Sequence, residues 1–112
     1  MSDGMNMADM FGKVMDMQRK MAEVQEQLAS KTVIAEAGGG MVQVTANGQQ
    51  RVTAIKIEKE VVDPEDVELL EDLVIAGVNK ALEEAAALAK NEMTKLTGGL
   101  IPPGMDMSKF GL

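Results

Sequence analysis

Catalysis needs side chains that shuttle protons, attack electrophiles or hold metals, and this 112-residue chain offers few of them. It has no His and no Cys, so no imidazole titrates near neutrality, and neither a disulfide framework nor a thiolate zinc site can form. Three groupings invite a chemical reading. Gly38-Gly39-Gly40 resembles a phosphate-cradling run, but no Lys-Ser or Lys-Thr follows and the next segment is β-branched, so a turn is expected. Asp63, Glu65, Asp66, Glu68, Glu71 and Asp72 form an acidic cluster. They lack the alternating oxygen ligands and central Gly of a calcium loop and suit the electropositive start of a helix. The 11 Met offer soft sulfur, but the stripe formed by Met7, Met10, Met17 and Met21 has the heptad spacing of a helix core. No carboxylate pair stands beside an activated partner. The sequence therefore predicts no enzyme, metal site, cofactor or small-molecule substrate.

Charge is the remaining chemical resource, and it is unevenly placed. The chain has 11 basic and 18 acidic residues, net −7, which argues against a surface coated to hold nucleic acid or anionic membrane. Residues 1–30 carry three cations and five acids, and residues 58–96 carry four cations and eleven acids. Only residues 31–57 are positive, with Lys31, Arg51 and Lys56 against Glu36. Lys90 has no acid three or four positions away, whereas Asp9 precedes Lys13, Asp16 precedes Lys20 and Arg19 precedes Glu23 by four. Such pairs support an exposed helix by roughly 0.2–0.5 kcal/mol each. That arrangement fits a solvated helix face as well as a binding face.

Two helices and a set of strands must position these charges. From Met7 to about Ser30, apolar residues at Met7, Met10, Val14, Met17, Met21, Val24 and Leu28 alternate steps of three and four. This heptad pattern predicts a helix that pairs with another helix, with Phe11 and Met15 widening the seam. From Thr32 to Ile57 the texture becomes β-branched, predicting strands over about 32–37, 41–46 and 50–57. Asn47-Gly48 is expected to supply the positive φ angles of a two-residue hairpin turn. Val52 and Ala54 are out of phase with Ile55 and Ile57, which a bulge near Ala54 reconciles.

Asp63-Pro64-Glu65-Asp66 predicts a helix start, with Asp63 as the cap acceptor and Pro64 at the first helical position. Val67, Leu70, Val74, Val78, Ala81, Ala85, Leu88 and Glu92 then step by three or four until Thr97-Gly98-Gly99. An interruption near Glu68 is compatible with the pattern. Unbroken from Pro64 to Leu96, the helix would be about 50 Å long, against a globule some 35 Å across (radius of gyration roughly 13 Å). It should overhang its own domain and pack antiparallel on the first helix as a projecting hairpin. The expected architecture is α+β: long helix, three-stranded antiparallel sheet, long helix, in a single α-β-β-β-α domain spanning residues 1–96. Residues 1–6 are expected to fray and 97–112, with Pro102-Pro103 and four Gly, to form a flexible tail. The 13 Ala and two Phe make a thin core, which with exposed sheet predicts a homodimer. No apolar run reaches 18 residues and no apolar leader is visible, so a cytoplasmic protein without a membrane partner is expected.

Together, Met17-Gln18-Arg19-Lys20-Met21, the hairpin Gly39-Gly40-Met41-Val42-Gln43-Val44-Thr45-Ala46-Asn47-Gly48, Leu70-Glu71-Asp72-Leu73-Val74 and Leu96-Thr97-Gly98-Gly99-Leu100-Ile101-Pro102-Pro103-Gly104 resemble the YbaB/EbfC family in order and distance. The resemblance implies a bacterial nucleoid-associated protein that binds duplex DNA with little sequence preference. It also implies a tweezers-shaped homodimer joined through its sheets, with long helices as arms. Carried over, it puts Lys13, Arg19, Lys20, Lys90 and Lys95 on the arms, with Lys31, Arg51 and Lys56 as further DNA-binding candidates. Val42, Val44, Ile55 and Ile57 would lie at or near the dimer contact. Lys and Arg on phosphates would give salt-sensitive affinity, and two Phe are too few for a base-stacking platform. The contrasting expectation is a helical-hairpin protein-interaction module, supported by the adaptable Met seam, with incidental DNA contact.

Overall fold

A computed structural model describes residues 7–96. Helix α1 spans Met7–Leu28 and strands β1, β2 and β3 span Thr32–Ala37, Val42–Asn47 and Val52–Ile57. A single 3₁₀ turn at Lys59–Val61 leads to helix α2, Val67–Leu96. The sheet is antiparallel in the order β1-β2-β3. The expected frayed start and C-terminal tail lie outside the described residues.

Alternation decides which strand face is buried. Ala35 pairs with Val44, Val44 with Ile55, Val42 with Ile57 and Ala46 with Val52, so these residues share one face. The β2–β3 register shifts between Thr45 and Ala46, opposite the expected bulge, and this brings Val52, Ile55 and Ile57 into phase. Helix α2 covers that face with a stripe of small residues, Gly77, Ala81 and Ala85. A Cβ on Gly77 would lie 2.9 Å from Val44 Cγ2, so the missing side chain is what lets the helix settle onto β2. The fully buried Leu28, Val42 and Val44 each contribute about 1.5–3 kcal/mol by leaving water. Most of the remaining core is alanine, as the composition implies.

One turn follows the local sequence and the next departs from it. Between β1 and β2, Gly38, Gly39 and Gly40 have φ of 64°, 69° and 94°, three successive left-handed residues that side chains resist. The triple glycine is a turn. The β2–β3 connection is a correction: neither Asn47 nor Gly48 takes positive φ, and Gln50 does, at 60°. Asn47 N–H donates to Arg51 O at 2.9 Å and closes a three-residue loop, Gly48-Gln49-Gln50. The buried Asn47 side chain rigidifies it, its Oδ1 accepting from Gln49 N at 2.9 Å and Arg51 N at 3.2 Å. A two-residue turn would forgo those bonds.

The same loop anchors α1. Gly48 N–H donates to Leu28 O at 2.8 Å, Gln49 Nε2 to Gln25 O at 2.9 Å and Asn47 Nδ2 to Ala29 O at 3.3 Å. Carbonyls left without partners at the end of a helix are thus taken up by the hairpin. The start of α2 is a second correction. Asp63 Oδ1 accepts from Glu65 N at 2.9 Å in a local turn, and Asp66 Oδ1 accepts from Leu69 N at 3.3 Å. Asp66 is the cap and the helix begins at Val67, three residues beyond Pro64.

Candidate nucleic-acid interface

The cations occupy three places. Lys13, Arg19 and Lys20 lie on α1, Lys90 and Lys95 on the last turns of α2, and Lys31, Arg51 and Lys56 around the sheet. Beyond Ala85, its last residue in the core cluster, α2 continues for eleven residues to Leu96, about 16 Å. Alongside it α1 runs in the opposite sense. Leu28 is buried at the sheet end, Val24 and Met17 are half-buried, and Leu88, Met93 and Leu96 are half-buried on α2. The N-terminal half of the α1 seam finds no cover within the described chain: Met7 is 83% exposed, and Met10, Phe11, Val14 and Met15 are all exposed. The helices therefore form a short antiparallel pair whose α1 face stays open towards Met7.

Several of the cations are already neutralised. Arg19 pairs with Asp16 on the exposed face of α1. Lys31 Nζ lies 2.9 Å from Glu92 Oε2, and Lys95 Nζ lies 3.4 Å from Glu92 Oε1. Lys20, Arg51 and Lys56 form no ion pair among the described residues. Lys56 sits opposite Gln43, whose Nε2 donates to Glu36 Oε1 at 3.0 Å, on the sheet face away from α2. The positive segment of the sequence thus divides: Lys31 turns to the arm, while Arg51 and Lys56 remain at the sheet. Glu92 was hidden in the sequence, and its one signal was an acid standing in the apolar register of α2.

The four apolar strand residues also separate. Val42 and Val44 are completely buried beneath α2 within the single chain, so they are core rather than surface. Ile55 and Ile57 share their face but are 44% and 38% exposed, because α2 packs over β1 and β2 and barely reaches β3. Strand β3 is exposed along its whole length at the edge of the sheet. Among the described residues no group of three acids could hold a metal ion, and no helix is long and apolar enough to cross a membrane. A groove of about 390 Å³ beside the β2–β3 loop is lined by Gln50, Asn79, Leu82, Glu83 and Ala86, with one ionisable group and no acid–base pair.

The sequence model of the YbaB/EbfC DNA-binding family matches residues 3–100. The chain belongs to the YbaB/EbfC DNA-binding family. It is similar to a nucleoid-associated protein of Syntrophobacter fumaroxidans, 52% identical over 93 residues that cover 83% of this chain and 84% of the relative. It is 49% identical to a nucleoid-associated protein of Clostridium novyi over 94% of this chain and 92% of the relative. Its fold matches the crystal structure of an uncharacterised protein of Helicobacter pylori, with a TM-score of 0.72 at 21% identity over 82% of this chain and 97% of the other. The helix, three-stranded sheet and long helix are thus a fold shared with that structure. The family membership makes DNA the partner class against which the cations of the arms are to be read.

Proposed function

We propose that this protein acts as a homodimer at the bacterial nucleoid, in the cytoplasm, holding duplex DNA through Lys and Arg contacts to phosphates with little sequence preference. The family match over residues 3–100 carries the reading. It is supported by cations along both helices, Lys13, Arg19 and Lys20 on α1 and Lys90 and Lys95 near the far end of α2. Contacts of this kind fix position without reading bases and give a salt-dependent affinity. A net charge of −7 per chain opposes a polyanion, so the affinity depends on keeping the arms apart from the acids clustered over residues 58–72. Dimerisation through the uncovered Ile55, Ile57 and edge strand β3 would double each contact and supply the core that one chain lacks.

Reversing Lys13, Arg19, Lys20 and Lys90 to Glu, singly and together, tests the arms in gel shifts of duplex DNA. Each lost phosphate contact is expected to flatten the plot of log affinity against log salt by about 0.9. Lys109→Glu should leave it unchanged. Equal effects at all five positions would contradict the assignment. A second reading is favoured by the open Met7, Met10, Phe11 and Met15 face: a helical-hairpin module that grips a protein partner through adaptable methionines, DNA contact being incidental. A stoichiometric protein partner that survives nuclease treatment in a pull-down would support it.

A further inference from the structure

Helix α2 turns Val74, Val78, Ala81, Ala85 and Leu88 inward, and the same register brings Glu92 to the place of the next apolar residue. An anion at such a half-covered position loses part of its hydration. Two ammonium groups compensate. Glu92 Oε2 meets Lys31 Nζ at 2.9 Å and Oε1 meets Lys95 Nζ at 3.4 Å, one oxygen for each lysine. The Glu92 side chain is only 15% exposed, while both lysines are open to solvent. The hydrogen bond from Lys31 holds the Glu92 carboxyl below the usual carboxylate range; partial burial opposes it and Lys95 adds to it. The group is therefore an anion at neutral pH.

A carboxylate oxygen and a phosphate oxygen compete for the same donors of an ammonium group. We propose that Glu92 is an internal counter-anion, occupying Lys31 and Lys95 and withholding them from DNA phosphates, and thereby sets the affinity of the arm. This deepens the DNA-binding reading and rests on it. The two lysines join the connection before β1 to the last turn of α2, so a phosphate that takes both also bridges the base of one arm. Because Glu92 stays charged, its restraint on binding is constant around neutrality and weakens only with salt.

The test is Glu92→Gln, an isosteric change that removes the charge, in fluorescence anisotropy with a labelled mixed-sequence duplex. Released lysines each add about 0.9 to the salt slope. The slope should therefore steepen by about 1.8 for each docked chain, so affinity falls about twelvefold more than for the wild type between about 50 and 200 mM salt. Binding of Glu92→Gln should be tighter at low salt, and the gain should vanish when Lys31 and Lys95 are also changed to Gln. If Glu92 served only to stiffen the arm, Glu92→Gln would bind more weakly or equally, with an unchanged slope, and that result overturns the proposal. Wild-type protein that fails to bind duplex at low salt while Glu92→Gln also fails overturns the DNA-binding reading itself. Retained helical circular dichroism in every variant assigns the differences to contacts rather than to unfolding.

Discussion

Gly48→Ala separates two reasons for a glycine. The Gly48 backbone lies outside the left-handed region, so alanine meets no dihedral strain there, and by restricting the unfolded chain it would gain about 0.4–1 kcal/mol. The space is the obstacle. A Cβ at Gly48 would sit 2.6 Å from Leu28 Cδ2, 2.9 Å from Leu28 Cβ and 3.0 Å from Leu28 O, where carbon contacts settle near 3.5–4.0 Å. The Cδ2 methyl could rotate away, but Cβ and the carbonyl oxygen move only with the end of α1, and that end is tied to Gly48 N–H at 2.8 Å. Overpacking of this kind costs about 1–3 kcal/mol. The net expectation is a loss of about 1–2 kcal/mol, a fall in Tm of roughly 4–15 °C for a domain of this size. Thermal unfolding followed by circular dichroism at fixed protein concentration measures it, and amide exchange should accelerate first at Gln25–Leu28. An unchanged or raised Tm would refute the inference that Gly48 exists to admit Leu28.

Three further outcomes follow from the geometry. Gly12→Ala, in exposed α1 with nothing within 4 Å of the new methyl, should stabilise by roughly 0.5–1 kcal/mol and raise helicity; a lower Tm would mean that the α1 face is covered there. Ile55→Lys with Ile57→Lys should convert a dimer to a folded monomer in light scattering, because both side chains are partly exposed in the single chain; unaltered mass would place the contact elsewhere. The Glu92 carboxyl has a lowered folded pKa, so its stabilisation is complete above the unfolded value of about 4.3 and fades as pH falls through the folded value. The gap in Tm between wild type and Glu92→Gln should therefore be flat near neutrality and close in acid below about pH 4; a gap independent of pH would show that Glu92 acts by packing alone.

Much of this fold was legible because its signals are local and periodic. The heptad of α1, the β-branched runs and the phase slip between Val52 and Ile55 each follow from one chain segment, and all three strands and the bulge lie where those patterns put them. What local pattern could not show were the contacts across segments. Asn47-Gly48 has the composition of a tight hairpin turn, but its asparagine is recruited as an acceptor for the loop and its glycine as clearance for Leu28, which shifts the left-handed residue to Gln50. Asp63 reads as the cap in sequence, but it closes the turn around Pro64 and leaves the cap to Asp66. Strand alternation groups Val42 with Ile57, but the width of one helix over three strands buries the first and leaves the second open. Charge counting set Lys31 among the unopposed cations, because Glu92 is 61 positions away in the chain and beside it in space. The candidate interface was therefore readable in its residue types and less so in which cations are committed inside the chain.

The most direct measurement is the affinity of the wild-type protein for a mixed-sequence duplex across a salt series, read by anisotropy with the protein's mass checked in the same buffers. A linear fall of log affinity with log salt, similar for unrelated sequences and carried by a dimer, is the expected result. Absence of binding at the lowest salt would contradict it, as would an affinity indifferent to salt.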